Sequence, residues 1–145
     1  MENINIRLAT IEQKEEILSI LKGSCENLIS KENLENDLKN ERCLYYIAYF
    51  KNLPIAYIGT SYICEDMDII DIVVTPKYRK KGIATLLMNK VIYFCKENNI
   101  KRILLEVRQN NAPAISLYNK FNFTKISTRK NYYKDQDAYI YELKL

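Results

Sequence analysis

Apolar residues recur along the chain at two spacings, and the switches between them outline an order of elements. From Asn3 to Leu8 polar and apolar residues alternate, as in a half-buried strand. Thr10 then stands where an N-cap opens a helix carrying Ile11, Ile17, Leu18 and Leu21, with Gly23 as its expected end. A second, more polar helix is expected from about Ser30, with Leu34 and Leu38 inward. Between Cys43 and Val74 the residues are rich in Ile, Val and Tyr, interrupted at Lys51-Asn52-Leu53-Pro54 and Cys64-Glu65-Asp66. That pattern predicts three strands joined by tight turns, the third closed by Pro76. Helical spacing returns after Gly82 with Ile83, Leu86, Leu87, Val91 and Phe94 on one stripe, until Asn98-Asn99. Lys101 to Arg108 is a further strand. Asn111 caps a helix with Pro113 in its first turn and Ala114, Ile115, Leu117, Tyr118 and Phe121 as its apolar positions. Two last strands cover Phe123 to Arg129 and Ala138 to Leu143. The order predicts an α+β fold with a mixed sheet, in which hairpins give antiparallel pairs and the strand-helix-strand crossover gives a parallel one.

A length of 145 residues with 48% hydrophobic and 28% charged suits one core, so a single domain spanning 1–145 is expected. The scattered prolines and glycines mark no linker and no repeat is evident. No stretch is long and apolar enough to span a bilayer, and Met1-Glu2-Asn3-Ile4-Asn5 lacks a basic region followed by an apolar run. The expectation is a cytoplasmic protein with no membrane partner.

Cys25, Cys43, Cys64 and Cys95 form no closely spaced pair, so neither a zinc knuckle nor a dithiol redox site is expected, and no metal. The chain has no histidine. That excludes Ser-His-Asp and Cys-His relays, histidine bases and histidine-ligated zinc, and leaves proton transfer to Glu, Asp, Tyr, Lys, Cys, a terminus or water. A net charge of +4 is compatible with a phosphorylated ligand or with weak nucleic-acid contact and does not choose between them.

The first candidate for chemistry is the run from Ile72 through Val73, Val74, Arg79, Lys80, Lys81, Gly82, Ile83 and Ala84 to Thr85, a strand that leads through a basic turn into a helix. A helix start presents unpaired N–H groups and a positive dipole end, which suit a diphosphate where glycine lets it reach the main chain. The same run can also be a solvated turn before an ordinary helix. Neither G-x-x-x-x-G-K-[ST] nor G-x-G-x-x-G fits a chain whose glycines are at 23, 59 and 82.

Arg79-Lys80-Lys81-Gly82-Ile83-Ala84 resembles the R/Q-x-x-G-x-G/A signature of the GNAT superfamily of N-acetyltransferases, in which this loop holds the diphosphate of coenzyme A. Leu105-Glu106-Val107-Arg108, Asn111, Ala114-Ile115, Leu117-Tyr118 and Phe123 resemble the L-E-V-R-x-x-N-x-x-A-I-x-L-Y-x-x-x-G-F stretch of its RimI-type members. Arg129-Lys130-Asn131-Tyr132-Tyr133 resembles their R-x-N-Y-Y segment. The resemblance implies a mostly antiparallel mixed sheet of six to seven strands flanked by about four helices, and acetyl-CoA as cosubstrate. It implies that the main chain of Ile72, Val73 and Val74 pairs with the pantetheine arm and that Lys80 to Thr85 hold the phosphates. It makes Glu106 the general base, Asn111 a coenzyme contact and Tyr118 the general acid. Asn122 stands where the pattern has glycine. Since Asn tolerates positive φ better than most residues, the turn is expected to survive.

A carboxylate is suited to take the proton that an amine sheds in attacking a thioester, and a phenol near pKa 10 stays protonated to supply the departing thiolate. An α-amine, with a reference pKa of about 8 against about 10.4 for lysine, is the easier nucleophile to free. Single residues of these types are more often structural: a solvent-facing Glu, a core Tyr, an N-cap Asn. The RimI-type resemblance implies the N-terminal amine of a ribosomal protein, starting with a small residue such as alanine, as acceptor. Acetylation of a small-molecule amine or a lysine side chain, a coenzyme-A-binding sensor without turnover, and an RNA-binding module using Arg129-Lys130-Asn131-Tyr132-Tyr133-Lys134 are the alternatives. No RNP-like or G-x-x-G motif supports the last, so no direct nucleic-acid contact is expected.

Overall fold

A computed structural model describes residues 3–24, 30–133 and 135–145. The readings placed on Met1, Glu2, Cys25 and Lys134 lie outside the described residues. The strands are β1 (Ile4–Leu8), β2 (Cys43–Phe50), β3 (Leu53–Ile63), β4 (Asp66–Val74), β5 (Arg102–Arg108), β6 (Thr124–Arg129) and β7 (Ala138–Lys144). The helices are α1 (Lys14–Ser24), α2 (Lys31–Leu38), α3 (Ile83–Glu97) and α4 (Ala112–Lys120). The strands form one seven-stranded sheet in the order β1-β2-β3-β4-β5-β7-β6, mixed and mostly antiparallel. The expected α+β class and strand count are both met.

The local signals work as their chemistry dictates. Thr10 closes a capping box with Gln13, over a short 3-10 turn that precedes α1. Ser30 caps α2 by accepting from the Asn33 N–H at 3.1 Å. Two boundaries and one buried face differ from the sequence reading. The β2-β3 hairpin uses only Lys51 and Asn52, whose φ values of 49° and 69° form the left-handed pair of a tight two-residue turn, so Leu53 and Pro54 already belong to β3. Helix α1 runs through Gly23 to Ser24, so Gly23 does not end it. Leu86 is 39% exposed, because the buried stripe of α3 runs Ile83, Leu87, Met88, Val91, Cys95 and leaves Leu86 off its edge.

The chain divides into two compact units. The first combines residues up to Ser61 with Ile70–Tyr93. Its core sets Ile17, Ile20 and Leu21 of α1 and Leu34 of α2 against Tyr45, Ile47, Tyr49, Tyr57 and Val73. Alternation sends Tyr46 of β2 to the opposite face, where Lys90 of α3 lies 6.0 Å from its ring. Both faces of β2 are therefore covered, and all of Leu44–Tyr49 is buried. The buried tyrosines keep their hydroxyls satisfied by carboxylates: Tyr45 donates to Asp37 at 2.7 Å, Tyr57 to Asp71 at 2.8 Å, and Tyr49 to Glu16. Burial pushes the Tyr49 phenol up to about 12 and the Tyr45 phenol further still.

The second unit combines Tyr62–Ile69 with Phe94–Leu145. Here Asp66–Ile69 of β4 run parallel to Arg102–Leu105, while β7 pairs antiparallel with β5 on one side and β6 on the other. Ile103, Leu105 and Val107 are buried, with Arg102, Leu104 and Glu106 on the other face of β5. Arg102 ties this face together through Asp66 at 3.1 Å and Glu142 at 3.2 Å.

Gly59 sits opposite Tyr45 in the β2-β3 register, and a Cβ there would stand 2.5 Å from Tyr45 Cε2 and 2.7 Å from Cζ. The missing side chain is what lets the Tyr45 ring stack on Tyr57 at 6.0 Å. Gly59→Ala is expected to destabilise the protein by about 1–3 kcal/mol, the range for overpacking a filled core. Urea unfolding checks it, and an unchanged midpoint would mean that the Tyr45 ring is free to move away.

Candidate active site

In the first unit, Ile72, Val73 and Val74 form the end of β4, past Ile69, where the β4-β5 register ends. The Thr75 N–H holds that end by donating to Ile55 O at 2.9 Å. A 3-10 turn at Pro76–Tyr78 follows, and the Arg79 Nε–H donates back to Val74 O at 2.9 Å. Arg79 thus braces the turn, and Arg79, Lys80 and Lys81 are all exposed. Left-handed backbone at Lys80 (φ 61°) and Gly82 (φ 80°) makes the kind of turn in which successive N–H groups converge on an anion. The first bond of α3 is Leu86 N–H to Gly82 O at 3.2 Å, so the amides of Ile83, Ala84 and Thr85 precede the helical ladder. Among the described residues, a Cβ built on Gly82 meets nothing within 4 Å. The main chain is therefore open to a ligand on that side, and the amides and lysines fit a diphosphate.

In the second unit, Glu106 lies mid-strand on β5 opposite Ile140 of β7, with its side chain 30% exposed. Its carboxylate is paired: Arg129 Nη1 lies 2.8 Å from Oε1. The neighbouring Glu106 carboxylate is the main reason the Tyr132 phenol titrates above its ordinary range. On the same face Asp68 is pushed up by burial and by the charges of Asp66 and Glu106.

Asn111 caps α4, its Oδ1 accepting from the Ala114 N–H at 3.3 Å. Tyr118 is buried, its ring packed on Phe123 at 5.6 Å and Tyr141 at 6.2 Å. Tyr141 stands opposite Leu105 in the β5-β7 register, so the Tyr118 ring occupies the face of β5 away from Glu106. Asn122 adopts φ 68° after α4, the left-handed turn expected where the motif has glycine.

The contact of Arg129 and Tyr132 with Glu106 was missed in the sequence, where these residues formed a motif without an assigned neighbour. The register explains it. Lys125 pairs with Tyr141, but a bulge follows and Ser127 pairs with Ile140. The extra residue, Ile126, reverses which face the end of β6 presents. Without it, Arg129 would face the α4 side with Lys125, whose Nζ lies 4.3 Å from the Tyr139 ring.

The acetyltransferase (GNAT) family profile matches residues 12–123. The chain belongs to that family. An N-alpha-acetyltransferase of Sulfolobus acidocaldarius is 31% identical to this GNAT chain over 152 residues, covering 95% of it and 90% of the relative. The ribosomal protein bS18-alanine N-acetyltransferase of Escherichia coli is 30% identical over 100 residues, covering 69% and 68%. The crystal structure of the Escherichia coli ribosomal-protein-S18-alanine N-acetyltransferase superimposes with a TM-score of 0.91 over 97% of this chain and 93% of that one at 24% identity, which shows a shared fold. This GNAT chain is an acetyl-CoA-dependent N-acetyltransferase, and its acceptor is a primary amine.

Gly82 isolates backbone strain from crowding in this GNAT enzyme. Because φ is 80° and the space around it is open, Gly82→Ala is expected to cost about 1–2 kcal/mol of stability through the left-handed backbone alone. Chemical denaturation measures it, and a loss well above that range would mean that the space is already filled.

Proposed function

We propose that this acetyltransferase modifies the N-terminal α-amine of a protein, with alanine-starting ribosomal proteins as its acceptor class. The main chain of Ile72, Val73 and Val74 pairs with the pantetheine arm in this reading. Arg79 shapes the diphosphate turn, and Lys80, Lys81 and the amides of Gly82, Ile83, Ala84 and Thr85 hold the phosphates. Asn111 contacts the coenzyme with the part of its carboxamide that the helix cap does not use. The chain acts as one N-acetyltransferase domain over 1–145, in the cytoplasm where ribosomal proteins are made.

Glu106 takes a proton from the acceptor ammonium, directly or through water, and the neutral amine attacks the thioester carbonyl. The N–C bond forms as the C–S bond breaks, and the thiolate leaves with a proton from Tyr118. The nitrogen loses two protons, sulfur gains one, and one is released to solvent. The amine approaches and the thiolate leaves on different sides of the carbonyl carbon, so base and acid need not share a face of β5.

The observation that carries the reading is Glu106: a half-buried carboxylate already paired with a cation, in a chain without histidine. The N-terminal acceptors of two relatives at 31% and 30% identity support the α-amine over other amines. A basic peptide that starts with alanine, incubated with acetyl-CoA and sequenced by mass spectrometry, is expected to carry acetyl on its α-nitrogen only. The same peptide blocked at its terminus is expected to stay unmodified. Acetyl on lysine side chains, or turnover of spermidine in preference to the peptide, would overturn the α-amine assignment.

A further inference from the structure

We propose that Arg129 is a displaceable latch on Glu106, a stand-in cation that the acceptor's ammonium must evict before it can give up its proton. This rests on the reading of Glu106 as the base and adds the element that decides access to it.

Three observations support the latch. The guanidinium meets the carboxylate at 2.8 Å, the position an incoming ammonium needs, and two cations cannot share it at full strength. The Ile126 bulge aims Arg129 at that face, and bulges that re-aim side chains are features of sites rather than defects. The pair is exposed enough to open, with the Arg129 side chain 60% and the Glu106 side chain 30% accessible. In such surroundings an ion pair is weak and readily exchanged.

Arg129 also has somewhere to go. Its guanidinium carbon already lies 5.5 Å from the Tyr132 ring centroid, within reach of a cation-π contact. The Tyr132 ring can therefore receive the guanidinium when it leaves the carboxylate. The backbone need not move, since the Asn131 N–H donates to Asp137 Oδ1 at 2.8 Å and the Tyr133 N–H to Gln136 O at 3.1 Å. Arg108, stacked 4.0 Å from the Tyr133 ring and paired with Asp135 at 2.8 Å, fixes the neighbouring tyrosine. Arg129 is thus a positioning residue: it lends selectivity for acceptors that arrive positively charged, and it takes no part in proton transfer.

The test compares parent, Arg129→Gln and Arg129→Lys enzymes on an alanine-starting peptide. Removing the competing cation is expected to lower KM by roughly two- to fivefold, the weight of one exposed ion pair, with kcat nearly unchanged. Arg129→Lys is expected to restore the parent KM. An unchanged or raised KM in Arg129→Gln overturns the latch. Side-chain NMR reads the displacement without turnover: the Arg129 Nε–H resonance, assigned by its loss in Arg129→Lys, is expected to shift on adding the free peptide but not its N-acetylated form. Equal response to both peptides also overturns the latch. Glu106→Gln separates the two ideas: full turnover in that variant removes the base assignment, whereas lost turnover with an unmoved Arg129 resonance in the parent removes only the latch.

Discussion

An amine that becomes an amide must shed protons, and a chain with no histidine leaves their receipt to another side chain, a terminus or water. This constraint organises the second unit. A carboxylate suits that task if it stays near solvent yet holds one orientation, and Glu106, the proposed base, is 30% exposed and ion-paired in the middle of β5. Buried neighbours at Leu105 and Val107 fix the strand, and β7 pairs along its whole length. Arg129, the last residue of the edge strand β6, pairs with the carboxylate, and Tyr132 lies just beyond that strand. In the proposed mechanism the central strand supplies position and the exposed edge supplies the group that yields.

The first unit solves the other half of the problem with backbone rather than side chains. The open left-handed turn at Gly82 and the unbonded first amides of α3 suit a diphosphate without any specific side chain. In the same unit the buried tyrosines Tyr45, Tyr57 and Tyr49, with their hydroxyls on Asp37, Asp71 and Glu16, make a well-satisfied interior. Such an interior serves chemistry, since reacting groups misplaced by an ångström lose much of their advantage.

Much of this was legible in the sequence because it is written locally. Alternation from Cys43 to Val74, the caps at Thr10, Ser30 and Asn111, and the run through Gly82 each depend on neighbours a few residues apart. Asn122 was legible for the same reason, as a residue that tolerates the left-handed turn. What escaped depends on register. Leu53 and Pro54 resemble a turn by composition, but the left-handed pair Lys51-Asn52 makes a shorter one. Gly23 reads as a helix end, yet the helix tolerates it. The meeting of Arg129 with Glu106 needs a strand order, β5-β7-β6, and a bulge at Ile126 that no periodicity announces. Leu86 shows the limit from another side: being apolar does not decide which stripe of α3 is buried.

The central claim is that Glu106 receives the acceptor's α-amine in place of Arg129. A crystal structure with a bisubstrate conjugate, coenzyme A joined through an acetyl bridge to the α-nitrogen of an alanine-starting peptide, tests it most directly. The nitrogen is expected within about 2.6–3.2 Å of the Glu106 carboxylate, or one water away, with Arg129 withdrawn onto Tyr132. A nitrogen bound elsewhere, with the Arg129–Glu106 pair intact, would contradict the account.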